Sequence, residues 1–213
     1  MRGRPITIKA RKLLLAEGAD ACNFLIWAYQ AWGAADIQVL DFGGVQNQDL
    51  PLYLRQLQML AGFDDVETLV VARDAERSAG GAVTSMIAQL TNAGLPAPLA
   101  PFTFTETALR VAYMIFPGYA AAPSNTKLEN GTLEDLCLKT IAEDPIMPCV
   151  GNFLQSVQAA GEPMPRPHKS SLYTYLAGKQ TLTGLKLGEA ARVGAWPWDH
   201  PAFAPYRATI RAM

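Results

Sequence analysis

The sequence predicts an α/β protein, with a mostly parallel sheet of about four strands flanked by helices and a helical C-terminal extension. Three observations predict it. Short apolar runs alternate with segments whose apolar residues recur at helical spacing. That alternation is the pattern of a parallel sheet covered on both faces. Beyond about residue 145 the strand-like runs stop, and helical spacing continues between prolines.

The elements follow in order. Lys12-Leu13-Leu14-Leu15-Ala16 suits a short buried strand, and Ala21, Phe24, Leu25, Ala28 and Trp32 then fall at helical spacing. Ile37-Gln38-Val39-Leu40 reads as a second strand, ended by Gly43-Gly44. Asp49 ahead of Pro51 marks a helix start, and Leu50, Leu54, Leu57 and Ala61 share one face. Thr68 to Ala72 is a third strand. Val83, Met86, Ile87 and Leu90 make a further helix face, closed by Asn92-Ala93-Gly94. Arg110 to Phe116, β-branched and aromatic, is a fourth strand. Helices are expected over 132–143, 150–160, 170–178 and 187–193, with Pro163, Pro165 and Pro167 as a break. Trp196-Pro197-Trp198 and Pro201-Ala202-Phe203 read as a docked aromatic tail. The expected organisation is an α/β domain over 1–145 and a helical extension over 146–213 packed on it.

Composition narrows the function. The chain has 213 residues, 50% hydrophobic and 17% charged, an ordinary globular balance. No apolar run approaches the ~18 residues of a membrane span, and the N-terminal apolar stretch is too short for a secretory signal. Cys22, Cys137 and Cys149 form neither a zinc pattern nor a disulfide framework, so reduced thiols and a cytoplasmic location are expected. The net charge of −1 hides an asymmetry. Residues 1–16 carry 5 basic residues and no acid, residues 17–163 carry 6 against 17 acids, and residues 164–213 carry 7 against 2. Either this is solvated surface charge, or the basic ends guide a polyanion towards acidic residues that hold cations.

Several familiar motifs are missing. There is no G-x-G-x-x-G, no Walker-type loop and no nucleophile elbow. The two histidines, His168 and His200, exclude a multi-histidine metal cluster. Acidic residues at strand ends remain. Glu17 follows the first strand, and Asp74 and Glu76 follow the third. If those strands are neighbours, their ends lie roughly 5 Å apart. Converging carboxylates repel, and at least one pKa rises unless a cation is present. Hard oxygen ligands on a rigid edge suit Mg²⁺, or Mn²⁺ in its place. The same residues at the same places would also serve as helix caps.

Other residues carry paired readings. Glu134 and Asp135 would ligate a second metal or stabilise a helix N-terminus. Gly43 and Gly44 would admit a phosphate to backbone N–H groups or simply turn the chain. Asn47 would orient a ligand or bond within its loop. Arg73 would clamp a phosphate or offset the carboxylates. Lys169 would stabilise a phosphorane-like transition state or sit in solvent. Asp199 and His200 would pair as orienter and base or hold the tail. Trp196, Trp198, Phe203 and Tyr206 would stack bases or pack the core.

The segment Leu13-Leu14-Leu15-Ala16-Glu17-Gly18, followed by Asp20, resembles the opening motif of TOPRIM domains. These are the metal-binding domains of topoisomerases, bacterial primases and overcoming-lysogenization-defect nucleases. Glu17 occupies the place of that family's glutamate. Val71-Ala72-Arg73-Asp74-Ala75-Glu76 is similar to its D-x-D strand end, with Glu76 where the family usually has aspartate. The wider pattern resembles a small bacterial TOPRIM-like family of unknown function. It runs through Asp41-Phe42-Gly43-Gly44, Leu133-Glu134-Asp135-Leu136-Cys137-Leu138 and Trp198-Asp199-His200-Pro201-Ala202-Phe203. The resemblance implies a TOPRIM-like, Rossmann-like fold and a Mg²⁺ or Mn²⁺ site at Glu17, Asp74 and Glu76. It implies metal-dependent phosphoryl transfer or phosphodiester cleavage on nucleic acid, or a non-catalytic binding or regulatory module that keeps the cation site. The chain has no ATPase motif, so any motor would be a separate partner protein.

Overall fold

Four parallel strands, β1 (Lys12–Ala16), β2 (Ile37–Asp41), β3 (Thr68–Asp74) and β4 (Arg110–Phe116), form one sheet in the order β2-β1-β3-β4. The computed structural model describes residues 6–43, 49–120 and 127–213. Gly44 and Asn47 lie outside the described residues.

Strand alternation sorts the core into two layers. Leu13, Leu15, Leu69, Val71, Val111, Tyr113 and Ile115 face α2 (Leu50–Gln58) and α3 (Ala79–Asn92), meeting Leu50, Leu54, Leu57, Met86 and Leu90. Leu14, Ala16, Val70, Ala72, Ala112, Met114 and Phe116 face α1 (Ala19–Ala31) and α4 (Leu133–Thr140). That second layer also takes in the C-terminal third. Leu172 and Leu176 of α6 (Pro167–Gly178) join it, as do Leu187 and Ala190 of α7 (Leu187–Arg192). So do Phe203 and Tyr206, at the start of α8 (Ala204–Arg211). The helical extension is therefore packed on the sheet's own core. Helix α5 (Met147–Ala159) sits farther out and buries only Val150.

Some boundaries differ from the sequence reading. Helix α4 is shorter than 132–143. Helix α5 starts at Met147 and α6 at Pro167, because Pro148 and Pro167 sit in first turns, where the missing N–H costs nothing. Helix α8 went unread. Pro205 again sits in its first turn, and Tyr206, Thr209 and Ile210 form its buried stripe.

The aromatic tail is core. Trp198 and Phe203 lie 5.3 and 5.9 Å from Phe24, centroid to centroid, and the Trp32 indole N–H donates to the Trp198 carbonyl. Tyr206 stacks on Phe116, and its hydroxyl donates to the Ile115 carbonyl at 2.7 Å. These rings are not displayed for base stacking. His200 holds the tail by accepting the Ala202 N–H through Nδ1, whereas Asp199 is solvated, 3.8 Å from Arg207. Tyr206→Phe should cost about 1 kcal/mol in urea unfolding, by removing one buried hydrogen bond while keeping the ring stack.

Among the described residues, no helix is long and apolar enough to cross a membrane.

Candidate functional site

Strands β1 and β3 are neighbours, with Ala16 level with Ala72. Glu17 thus leaves β1 level with Arg73, one residue short of Asp74, the last residue of β3. A pocket of about 390 Å³ opens at this carboxyl edge, where ligands bind in open parallel sheets. Glu17, Asp20, Asp74 and Glu134 line it from the sheet side, and Lys169, Tyr173, Lys186 and Glu189 from α6 and α7.

Local bonds build this edge. The Asp41 carboxylate at the end of β2 accepts the N–H groups of Gly18 (2.8 Å) and Gly43 (2.6 Å). A β-carbon on Gly43 would stand 2.7 Å from Asp41 Oδ1 and 2.9 Å from the Gly18 nitrogen. Gly43 is there for that close approach, and its N–H is already used, which removes it as a phosphate donor. Asp41→Ala should free both N–H groups and cost about 1–2 kcal/mol in chemical denaturation.

After β3 the chain leaves the strand geometry. Ala75 N–H bonds the Phe116 carbonyl, and Glu76 adopts φ 53° while exchanging both backbone hydrogen bonds with Gly131. This turn breaks the two-residue alternation that would set Glu76 beside Asp74. Glu76 is exposed and is not among the residues lining the pocket. The same pairing with Gly131 brings the start of α4 over the end of β3, and Asp74 Oδ1 accepts the Leu133 N–H at 2.9 Å. Glu134 thereby reaches the pocket, and Lys169 pairs with it at 3.2 Å. Asp135 does not. Its carboxylate accepts the Thr132 N–H at 2.8 Å, closing a capping box. Arg73 contributes to the wall, but its guanidinium runs under the sheet to Gln89 on α3, at 3.4 Å.

Electrostatics single out Asp74. Burial pushes its carboxyl up to about 7, and the charges of Glu134, Glu76 and Glu17 push the same way against the Leu133 N–H. Glu134 moves oppositely. Burial disfavours its charge, but hydrogen bonds and the Lys169 ammonium hold it below its usual value. Among the described residues, no group of three or more His, Cys, Asp or Glu stands in a metal-holding arrangement. The geometry explains this. One Asp74 oxygen caps α4, Glu134 is paired with Lys169, and Glu76 lies outside the pocket.

The sequence reading missed Asp20, Tyr173, Lys186 and Glu189. Asp20 stood in the first-strand motif without a role. The others come from helices whose docking no local spacing announces. Of the basic ends, the C-terminal one reaches the acidic edge through Lys169 and Lys186. Arg11, at the opposite edge, pairs with Glu67 at 2.7 Å.

The family model described as "Protein of unknown function (DUF3226)" matches residues 11–212. The chain belongs to this family. The match takes in the sheet, α6 and α7 together, so both walls of the pocket lie within the family's own span. No curated protein and no solved structure matches the chain.

Proposed function

We propose that the pocket binds a divalent cation, Mg²⁺ or Mn²⁺, and that the protein carries out TOPRIM-type phosphoryl transfer or phosphodiester cleavage on nucleic acid. One observation carries the reading. A half-buried carboxyl, pushed up to about 7, ends strand β3, in one pocket with Glu17, Glu134 and two lysines. Such a carboxyl gains from a cation, which offsets the burial and the neighbouring carboxylate charges that raise it. The donor set fits Mg²⁺, which commonly takes one or two carboxylates and completes its shell with water and phosphate oxygens. Asp74 and Glu17 would hold the ion, and the bound ion would polarise a phosphoryl oxygen and acidify water. Lys169 and Lys186 would meet the non-bridging oxygens of the phosphate. The setting is proposed as cytoplasmic, with any ATPase or regulatory partner a separate chain.

The second reading is a non-catalytic, cation-holding module. The Glu134–Lys169 pair and the outward Glu76 favour it, because they leave fewer free carboxylates than cleavage chemistry usually enlists. Calorimetric titration of Mg²⁺ and Mn²⁺ into wild type and Asp74→Asn, beside a nuclease screen with each metal, separates the two. Binding with turnover, both lost in the variant, supports the first reading. Binding without turnover supports the second. Full cleavage by Asp74→Asn would overturn the site assignment.

A further inference from the structure

We infer that β2, the open edge of the sheet, pairs antiparallel with β2 of a second copy of this chain and joins the two sheets into one. The two edges of the sheet differ. Beside β4 the preceding loop closes the edge: the Phe102 N–H donates to the Tyr113 carbonyl at 2.8 Å, and the Thr105 N–H to the Val111 carbonyl at 3.0 Å. Strand β2 has no such cover. The Phe42 N–H bonds the Ala16 carbonyl, so the even-numbered residues of β2 turn their backbone groups to β1. The N–H and C=O groups of Ile37, Val39 and Asp41 therefore point to the open side. Among the described residues these groups have no hydrogen-bond partner. Nor does β2 carry a proline, a lysine or a bulge, the usual devices that keep an edge single.

The geometry selects a copy of the same strand. The outward groups are spaced evenly about Val39. A twofold axis there sets Val39 opposite the partner's Val39 and Ile37 opposite the partner's Asp41, and each facing pair exchanges both hydrogen bonds. The one charge on β2, Asp41, then meets an isoleucine, so no two carboxylates stand opposite each other. The helices flanking the edge agree with this. On one face of the sheet α7 covers the Asp20–Asn23 side of α1, at Gly188. The other side of α1, with Cys22, Ile26 and Tyr29 at helical spacing, lies over β2, where the Asp41 charge helps hold the Cys22 thiol up. On the opposite face Arg55 and Gln58 tie α2 to the carbonyls that end α3. That leaves Tyr53 and Gln56 on the β2 side, with the Tyr53 ring 6.4 Å from Phe42. Ile26, Tyr29, Tyr53 and Gln56 are uncharged and all partly or fully exposed. Centres of protein interfaces are depleted of charge and enriched in tyrosine. Antiparallel joining also turns the two carboxyl edges in opposite directions, so both pockets stay open.

The test is sedimentation equilibrium over a wide range of protein concentration, with circular dichroism to show that each variant folds. Wild type should pass reversibly from monomer to dimer. Val39→Pro removes an outward N–H and sets a ring on the open side, while the ladder to β1 keeps its bonds. It should weaken the dimer roughly tenfold or more, the effect of losing the central hydrogen bonds. Ile26→Lys, which brings a charge to an uncharged flank, should weaken it several-fold. A second arm reads the register. Cys149 is exposed, so Val39→Cys is made with Cys149→Ser. Facing Cα atoms about 5.5 Å apart are within disulfide reach, so the double variant should cross-link on oxidation and Cys149→Ser alone should not. The Val39 amide of wild type should also exchange more slowly as concentration rises. A chain that stays monomeric overturns the proposal. So does a dimer that both folded variants leave unchanged, or the absence of the Val39→Cys cross-link.

Discussion

Asp74→Asn is expected to abolish Mg²⁺ binding, to lower any Mg²⁺-dependent cleavage by about 10³ or more, and yet to stabilise the metal-free protein at pH 8. The loss of activity follows from removing the charge that holds the cation, a contribution of several kcal/mol in metal-assisted phosphoryl chemistry. The gain in stability follows from linkage. In the folded chain Asp74 keeps its proton up to about 7, while the unfolded chain releases it near 3.8. Between those values the native state binds more protons, so its stability falls as pH rises and levels off above about 7. This is the reverse of an ion-paired carboxylate. The full effect is roughly 3 kcal/mol after allowance for relaxation around the carboxyl, at ~1.4 kcal/mol per pH unit at most. Asparagine keeps the oxygen that accepts the Leu133 N–H and carries no charge. In EDTA the variant should match wild type near pH 4 and exceed it at pH 8. Urea unfolding at pH 4, 6 and 8 reads this directly. Added Mg²⁺ at pH 8 should raise the wild-type midpoint and leave the variant's unchanged. A difference between variant and wild type that stays constant across that range would mean that Asp74 is ionised and satisfied by its cap alone.

The sheet was legible because burial on both faces writes near-continuous apolar runs. Lys12–Ala16 and Arg110–Phe116 are bounded in the sequence as they are in the structure. The adjacency of β1 and β3 was legible only as a condition, since order in a parallel sheet is set by long-range pairing. The site divided along the same line. Glu17 and Asp74 end strands, and strand ends are fixed by the sheet, so both arrive at the pocket. Glu76 is two residues further on, where a left-handed turn replaces the alternation that spacing assumes. Glu134 and Asp135 are adjacent in sequence, yet one faces the pocket and the other closes a cap, because successive helical side chains point about 100° apart. Lys186 and Glu189 depend on how α7 docks. That docking turns on a glycine contact with α1, which carries no signal in hydrophobic spacing.

Gly188→Ala tests that contact, and its expected cost is about 2–4 kcal/mol together with weakened ligand binding. A β-carbon on Gly188 would stand 2.6 Å from the Asn23 β-carbon and 2.8 Å from the Asp20 carbonyl oxygen. The second of these is helix backbone and cannot step aside, so α7 must lift away from α1. The Gly188 N–H also reaches Asp20 Oδ1, at 3.4 Å, so the same displacement loosens a residue of the pocket. Lys186 and Glu189 would move with α7, carrying part of the basic wall away from Asp74. Gly151→Ala is the control of opposite sign. Gly151 lies within α5 with nothing within 4 Å of an added β-carbon, and alanine there should stabilise by roughly 0.5–1 kcal/mol. Urea unfolding of both variants, with calorimetric Mg²⁺ titration, measures the pair. Loss of stability and of cation affinity in Gly188→Ala alone would tie the fit of α7 to the site. A Gly188→Ala protein that folds and binds like wild type would mean that the helices can part without consequence, and that the site belongs to the sheet edge by itself.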